Sequence, residues 1–257
     1  RGPLFNSLDR FVLFAGGDIH LAENVQVESG DIGSNARIFV AENSIVSSSL
    51  FADKIHLAEN SLIKGNVSYN QLRQAESSQI LGEKITPVLL PIAQLPTIPD
   101  FETGDQSLVI TGEQTISPGN YNKIEIKENA KLTLEAGTYN VNKLYLRESS
   151  FLLFSGFTVV NIKNEFKGSE KAVIQDLDNL YSNLTVNYQN TKSINFGEQS
   201  LLTLKIIAPQ AKVHLAEETN FQGAIYTKEI YISEGATIKI LPCGPPPAPV
   251  GISGAPG

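Results

Sequence analysis

Ile19-His20-Leu21-Ala22-Glu23-Asn24-Val25-Gln26-Val27 returns as Ile38-Phe39-Val40-Ala41-Glu42-Asn43-Ser44-Ile45-Val46, and again as Ile55-His56-Leu57-Ala58-Glu59-Asn60-Ser61-Leu62-Ile63. Further along, Ile124-Glu125-Ile126-Lys127-Glu128-Asn129, Leu144-Tyr145-Leu146-Arg147-Glu148-Ser149, Ile194-Asn195-Phe196-Gly197-Glu198, Val213-His214-Leu215-Ala216-Glu217 and Ile230-Tyr231-Ile232-Ser233-Glu234 repeat the same pattern. Neighbouring copies begin 17 to 20 residues apart. Within each copy apolar residues alternate with variable ones, the period of a strand, and a Glu followed by a polar residue or Gly then marks a corner. A helix would place its apolar residues three and four apart. Short strands at this spacing predict a single-stacked parallel β-helix, a β-solenoid expected to be right-handed, with about three short faces to each coil of 17–20 residues. A β-sandwich with evenly spaced strands is the rival; it gives no reason for one nine-residue word to recur three times running.

Working outward from the repeats, the chain divides into five stretches. Residues 1–13 read as an N-terminal cap, with Leu4, Phe5, Leu8, Phe11 and Val12 at helical spacing and Asn6 or Ser7 as the capping residue. Residues 14–69 form a first block of coils. Residues 70–104 hold a helical turn over Asn70 to Glu76, then a stretch with Pro87, Pro91, Pro96 and Pro99 that stays extended outside the sheet. Its Val88, Leu89, Leu90, Ile92 and Leu95 are too apolar for a free linker, so it is expected to lie along the flank and cover an apolar face. Residues 105–241 resume the coils, with Gly112, Gly119, Gly137 and Gly156 at corners expected to need positive φ. Residues 242–257 are a Pro/Gly-rich tail of polyproline character.

Ser117-Pro118-Gly119-Asn120-Tyr121, Leu132-Thr133-Leu134-Glu135-Ala136-Gly137-Thr138-Tyr139, Ile207-Ala208-Pro209-Gln210-Ala211 and Phe221-Gln222-Gly223-Ala224-Ile225-Tyr226 follow one another in an order that resembles the repetitive C-terminal regions of bacterial surface proteins, PilX-type pilus-associated proteins among them. Ile63-Lys64-Gly65-Asn66-Val67 is weakly similar to bactofilins, which are polymerising solenoids, and Phe11 to Gly33 is similar to the opening of bacterial ice-binding solenoids. These resemblances imply a bacterial cell-surface or extracellular β-solenoid rather than a particular activity.

The chain carries 20 basic and 27 acidic side chains, a net charge of −7, and no basic run, which excludes the clustered phosphate contacts of a nucleic-acid binder. No apolar stretch approaches the roughly 18 residues that span a bilayer. The sequence begins at Arg1 and holds no Met, as expected of a processed product. No GxSxG, HExxH, GxGxxG or CxxC motif is present. His20, His56 and His214 share one outward slot of the repeat, and His20 and His56, two coils and so about 10 Å apart, cannot share a metal. Asp176 and Asp178 form the one close Asp pair, with no basic partner aligned as a polysaccharide-cleaving solenoid needs. No enzyme activity, catalytic residue or cofactor is therefore expected.

Glu23, Glu42, Glu59, Glu128, Glu148, Glu198, Glu217 and Glu234 share the corner slot. Stacked carboxylates could gather Ca²⁺ between coils, but a good calcium site needs six or more oxygens, and a solvated ladder is the plainer reading. Cys243 is a small apolar residue or an intermolecular disulfide site, and with Pro245, Pro246 and Pro247 it is the candidate assembly segment. The expected function is a structural surface protein that assembles with itself into a fibre or layer through the unpaired strand edges at its ends, with other surface or pilus proteins or polysaccharide as further partners. The alternative is an adhesin, carbohydrate-binding or ice-binding module. A sugar platform would need a line of exposed aromatics, and Phe39, Tyr145 and Tyr231 share a slot without being consecutive copies. An ice-binding face would need regular Thr, and Thr133, Thr158, Thr185, Thr203 and Thr237 do not share one slot.

Overall fold

The computed structural model describes residues 7–178 and 183–241. They form a parallel β-solenoid: every described strand pairing is parallel, and the inward Ile, Leu, Val, Phe and Tyr side chains build one continuous apolar column. Three faces, here A, B and C, wind round that column. Face A carries the repeated words. Each word meets the next in register, so Ile19, Ile38, Ile55 and Leu72 stack, as do Ile124 and Leu144.

The order of coils along the stack is not the order of the chain. On face A it runs Ser107–Ile110, 123–126, 143–146, 165–168, Ile194–Phe196, 212–215, 229–232, and only then Ile19–Leu21, Arg37–Val40, Lys54–Leu57 and Gln71–Gln74. The N-terminal coils thus sit on the last C-terminal coil. All three faces cross this junction: Ile19 pairs with Ile230 on face A, Gln26 with Thr237 on face B, and Phe14 with Tyr226 on face C. Backbone bonds close it, Ala22 N–H to Ile232 O at 2.9 Å and Glu28 N–H to Ile238 O at 2.8 Å among them.

The Pro-rich stretch 86–106 connects the two ends of the stack by running down the outside of face C. Val88, Ile92, Ala93 and Leu95 pack on Phe11, Phe14, Phe51 and Tyr226 in a second apolar cluster outside the main column. Asn35 fastens it: its Oδ1 accepts from Ile92 N–H at 2.7 Å and its Nδ2 donates to Ala93 O at 2.9 Å. These contacts cover an apolar patch of face C.

Three expectations of detail give way. The N-terminal turn is one short 3-10 turn, Leu8–Arg10, capped by Ser7, and Phe11 and Val12 already belong to the face C strand Phe11–Ala15. The first block of coils does not stop at residue 69, because Gln71–Gln74, Gln79–Ile80 and Lys84–Ile85 form a further coil where a helical turn was expected. Among the four corner glycines, Gly137 and Gly156 take positive φ, and Gly112 and Gly119 do not.

The corner between faces A and B explains the recurrent Glu-polar pair. Its second residue lies in the left-handed region in coil after coil, with φ of 58° at Asn24, 59° at Asn43, 60° at Asn129 and 55° at Ser149. Asn tolerates this conformation because its short polar side chain bonds locally. The same residue's N–H reaches the Glu carbonyl of the adjoining coil, as from Asn24 to Glu42 and from Asn43 to Glu59. One position further on, a buried Ser or Thr hydroxyl donates back across the turn, from Ser61 to Ala58 O and from Ser150 to Arg147 O. Asn43→Val is expected to lose about 1–2 kcal/mol through the left-handed strain alone, while Asn43→Gly stays within about 0.5 kcal/mol; urea melts of the two variants check this.

Candidate functional site

Stacking the coils in this order turns scattered residues into continuous columns, and these define what each face offers. The outward column of face A runs Val109, Glu125, Tyr145, Lys167, Asn195, His214, Tyr231, His20, Phe39, His56, Arg73. Five aromatic rings are consecutive in it, where the chain order separates them. His214 and Tyr231 lie 5.1 Å apart at 80°, Tyr231 and His20 4.8 Å at 8°, His20 and Phe39 4.6 Å at 18°, and Phe39 and His56 4.8 Å at 84°. Tyr145 is separated from this ladder by Lys167 and Asn195. Around His20 the rings cover each other's faces, so the ladder offers edges rather than the open ring faces on which a sugar stacks. Its contribution is to the fold, about 0.5–1.5 kcal/mol for each ring pair.

All three imidazoles of the ladder are held below the ordinary value of 6.5. Desolvation comes first in each case, followed by Lys212 and Arg37 for His20, Lys212 for His214, and Arg73 and Arg37 for His56, where Glu42 acts in the opposite sense. A group whose folded pKa is lowered supports the fold fully above its unfolded value and withdraws that support as pH falls through the folded value. The melting temperature is therefore expected to start falling as pH drops below 6.5, and His20→Phe should flatten that slope. A second fall belongs below 4.5, because Glu125 and Glu165 are both held at about 2 by hydrogen bonds from neighbouring cations, and in the case of Glu165 first from Tyr145. A melting temperature that stays level from 6.5 down to 4.5 would contradict the first step.

At the corner of faces A and B, the expected carboxylates do stack, and the column is longer than the eight named from the repeats. It runs Glu128, Glu148, Glu170, Glu198, Glu217, Glu234, Glu23, Glu42, Glu59, Glu76. Glu170 and Glu76 escaped because Gly168 and Gln74 break the aliphatic word before them. Among the described residues, no group of three or more His, Cys, Asp or Glu side chains converges as a metal site would require. Cys243, Pro245, Pro246 and Pro247 lie outside the described residues. Asp176 and Asp178 are corner fittings: Asp176 accepts from Asp178 N–H and Asn183 Nδ2, and Asp178 accepts from Gly156 N–H.

Face C carries two asparagine ladders that sequence reading missed. Asn120, Asn140, Asn161 and Asn187 pass amide hydrogen bonds along the stack at 2.9 Å each. Asn122, Asn142, Asn164 and Asn190 form the second, at the corner with face A. The recurrence of Asn at these spacings was the available signal.

Face B has the plainest surface. One outward column reads Glu113, Lys131, Phe151, Val173, Leu201, Asn220, Thr237, Gln26, Ile45, Leu62, Gln79, uncharged from Phe151 to Gln79. Beside it lie Thr115, Thr133, Leu153 and Gln175, then Thr203, Gln222 and Lys239. Thr133 and Thr203 therefore occupy one column and Thr237 its neighbour, while Thr158 and Thr185 belong to face C. Leu201, the third of the nine uncharged ranks, is 51% exposed.

No family model matches the chain, and no curated protein matches it. Several solved structures do. They include an ice-binding protein from an Antarctic biological consortium, at 14% identity over 92% of this chain and 90% of that one with a TM-score of 0.46. A glycosylated ice-binding protein from an Arctic yeast matches at 13% identity over 94% and 95%, with a TM-score of 0.46. A Shewanella frigidimarina ice-binding protein domain of the DUF3494 type matches at 13% identity over 93% and 98%, with a TM-score of 0.39. The resemblance to ice-binding solenoids read from residues 11–33 has counterparts here, whereas those to PilX-type proteins and bactofilins find none. At such identities and scores nothing about activity carries over, and the functional reading has to stand on the faces themselves.

Proposed function

We propose that the chain is a non-catalytic extracellular binding solenoid whose face B docks on an extended, flat, uncharged surface, with ice as that surface. One observation carries the reading: the column from Phe151 to Gln79 holds nine successive ranks without a charge, crossing the junction between the C- and N-terminal coils. Strands repeat about every 4.8 Å, so this column is an evenly ruled strip of three apolar ranks, three polar ones (Asn220, Thr237 and Gln26), two apolar ones and a last Gln79. A rigid strip of that kind can meet an ordered surface rank by rank without losing side-chain freedom, and the strip itself carries no charge, Lys239 standing in the column beside it.

Purified protein is expected to slow ice recrystallisation and to open a gap between melting and freezing points. Leu201→Lys and Thr237→Lys, each placing a hydrated charge in mid-strip, should abolish both effects with the melting curve retained. Unmodified protein that leaves ice grain growth unchanged would overturn the reading.

A second reading, assembly end to end, has its own observation. Gln71–Gln74, Gln79–Ile80 and Lys84–Ile85 at one end, and Ser107–Ile110 and Glu113–Ile116 at the other, each pair with a strand on one side only among the described residues. Leu81, Ile85 and Val109 are exposed there. Unpaired strand edges are templates for a second copy. Sedimentation across a concentration series separates the readings, since assembly predicts growing species and face B docking does not require them.

A further inference from the structure

Face A carries a pair of charge clusters that the face B reading leaves unused. In the first, Glu125 is buried on the outer surface, its side chain 5% exposed, and grips three cations: Lys123 at 2.8 Å, Lys127 at 2.9 Å and Arg147 at 2.6 Å. In the second, Glu165 accepts from the Tyr145 hydroxyl at 2.8 Å and is ringed by Lys192 at 3.1 Å, Lys167 at 3.2 Å and Lys143 at 4.0 Å. One carboxylate against three cations leaves each cluster with two positive charges over, on a chain whose net charge is −7. The six cationic side chains remain between 34% and 61% exposed. Glu125 and Glu165 are two ranks apart along the stack, about 10 Å.

The surroundings decide what could neutralise that excess. Along one side stand Glu128, Glu148 and Glu170 of the corner column, a fence against a broad or densely charged anion. Along the other runs the amide ladder Asn122, Asn142, Asn164 and Asn190, directly preceding Lys123, Lys143 and Glu165 in the chain. A primary amide has two N–H donors, so each Asn that donates one to the ladder keeps a second for a hydroxyl. Between the clusters lies a shallow groove lined by Tyr145, Arg147, Lys167, Ser169 and Asn195.

We infer that this strip of face A binds an acidic polysaccharide, whose carboxylates supply the missing anions at the two clusters and whose hydroxyls meet the amide ladder. A duplex nucleic acid, with a charge every ~1.7 Å of its axis, would press phosphates on the carboxylate fence. A narrow chain with one carboxylate on each sugar, alternate ones reaching the two clusters about 10 Å apart, would not.

The test is binding of purified protein to polygalacturonate at low salt, with neutral dextran and single-stranded DNA as comparisons. Polygalacturonate should bind, weaken steadily as salt rises, and exceed both comparisons. Lys143→Gln/Lys167→Gln/Lys192→Gln should weaken it about tenfold or more, since each cation withdrawn removes one screened contact. Glu165→Gln should strengthen it, which distinguishes a binding strip from a merely structural cluster; retained circular dichroism shows that each variant is folded. Absence of polygalacturonate binding, unchanged binding in the folded triple variant, or tighter binding to DNA would overturn the inference. Lys239→Gln on face B should change nothing, and a loss of binding there would place the site elsewhere.

Discussion

Tyr139→Ala is expected to lose about 4 kcal/mol or more of folding stability, and Tyr139→Phe about 1 kcal/mol. Tyr139 is fully buried in the interior column, beside Tyr121 at a ring separation of 6.3 Å. Its hydroxyl lies 2.8 Å from both Ile116 O and Glu135 O, the first on the end coil and the second at the corner leading into its own strand. Truncation to Ala removes the ring from a column that cannot collapse, because the backbone on every side is fixed by ladder bonds, and it also takes away the one hydroxyl proton that the two carbonyls share, while Ile116 O keeps the Glu135 N–H. The Phe variant keeps the packing and loses only the hydroxyl. Urea titration with an unchanged slope and a midpoint shifted far more for Ala than for Phe is the expected result. Equal shifts would mean that the hydroxyl, not the ring, matters at this position.

The second large effect belongs to Gly223, in the bend between faces B and C. Its φ is 139°, a region that side chains other than Gly rarely adopt, and a Cβ there would meet the carbonyl of Leu204 on the neighbouring coil. Gly223 pairs directly with Leu204, so the obstructing group is backbone held in the stack and cannot swing aside. Strain and overpacking each cost about 1–3 kcal/mol, and Gly223→Val, which incurs both, is expected to lose at least about 3 kcal/mol or to fail to fold. Gly156 is the contrast: φ is 72° and the nearest atom to an added Cβ is Ala136 Cβ at 3.4 Å. Gly156→Asn should fold and melt within about 1 kcal/mol of the parent. Comparison of the two soluble yields and melting curves checks the pair.

These residues also show which parts of the fold can be read from the chain. The aliphatic word repeats because each coil must place the same inward groups over its neighbour, so Ile19, Ile38 and Ile55 announce the column without any structure. The Glu-Asn corner is equally local, since the left-handed turn at Asn24, Asn43 and Asn129 needs only its own residues. The order of coils is different. Every word presents the same edge, and nothing in Ile230-Tyr231-Ile232 states that Ile19-His20-Leu21 follows it rather than a later coil. The signal that existed was the Pro-rich stretch: residues 86–106, extended at about 3.3 Å each, reach about 70 Å, more than the length of the whole stack at about 4.8 Å a rank.

Missing that order hid everything that depends on it. The aromatic ladder from His214 to His56, the unbroken carboxylate column and the uncharged strip of face B all cross the junction or run the length of the stack. Gln71-Leu72-Arg73-Gln74 departs from the aliphatic word for a related reason. An end coil has one neighbour rather than two, so it can be polar at positions that interior coils keep aliphatic. The paired clusters around Glu125 and Glu165 were illegible because their cations come from several coils, Lys123, Lys127 and Arg147 for one and Lys143, Lys167 and Lys192 for the other.

The stacking order is tested most directly by disulfide trapping, with Cys243 replaced by Ser. His20→Cys/Tyr231→Cys places two thiols at paired positions across the junction. Arg73→Cys/Val109→Cys places them at the opposite ends of the stack, where a solenoid wound in chain order would make them neighbours. Under mild oxidation at low protein concentration, the account predicts a rapid intramolecular bond in the first pair and none in the second; the reverse outcome would contradict it, and the uncharged strip and the aromatic ladder would go with it.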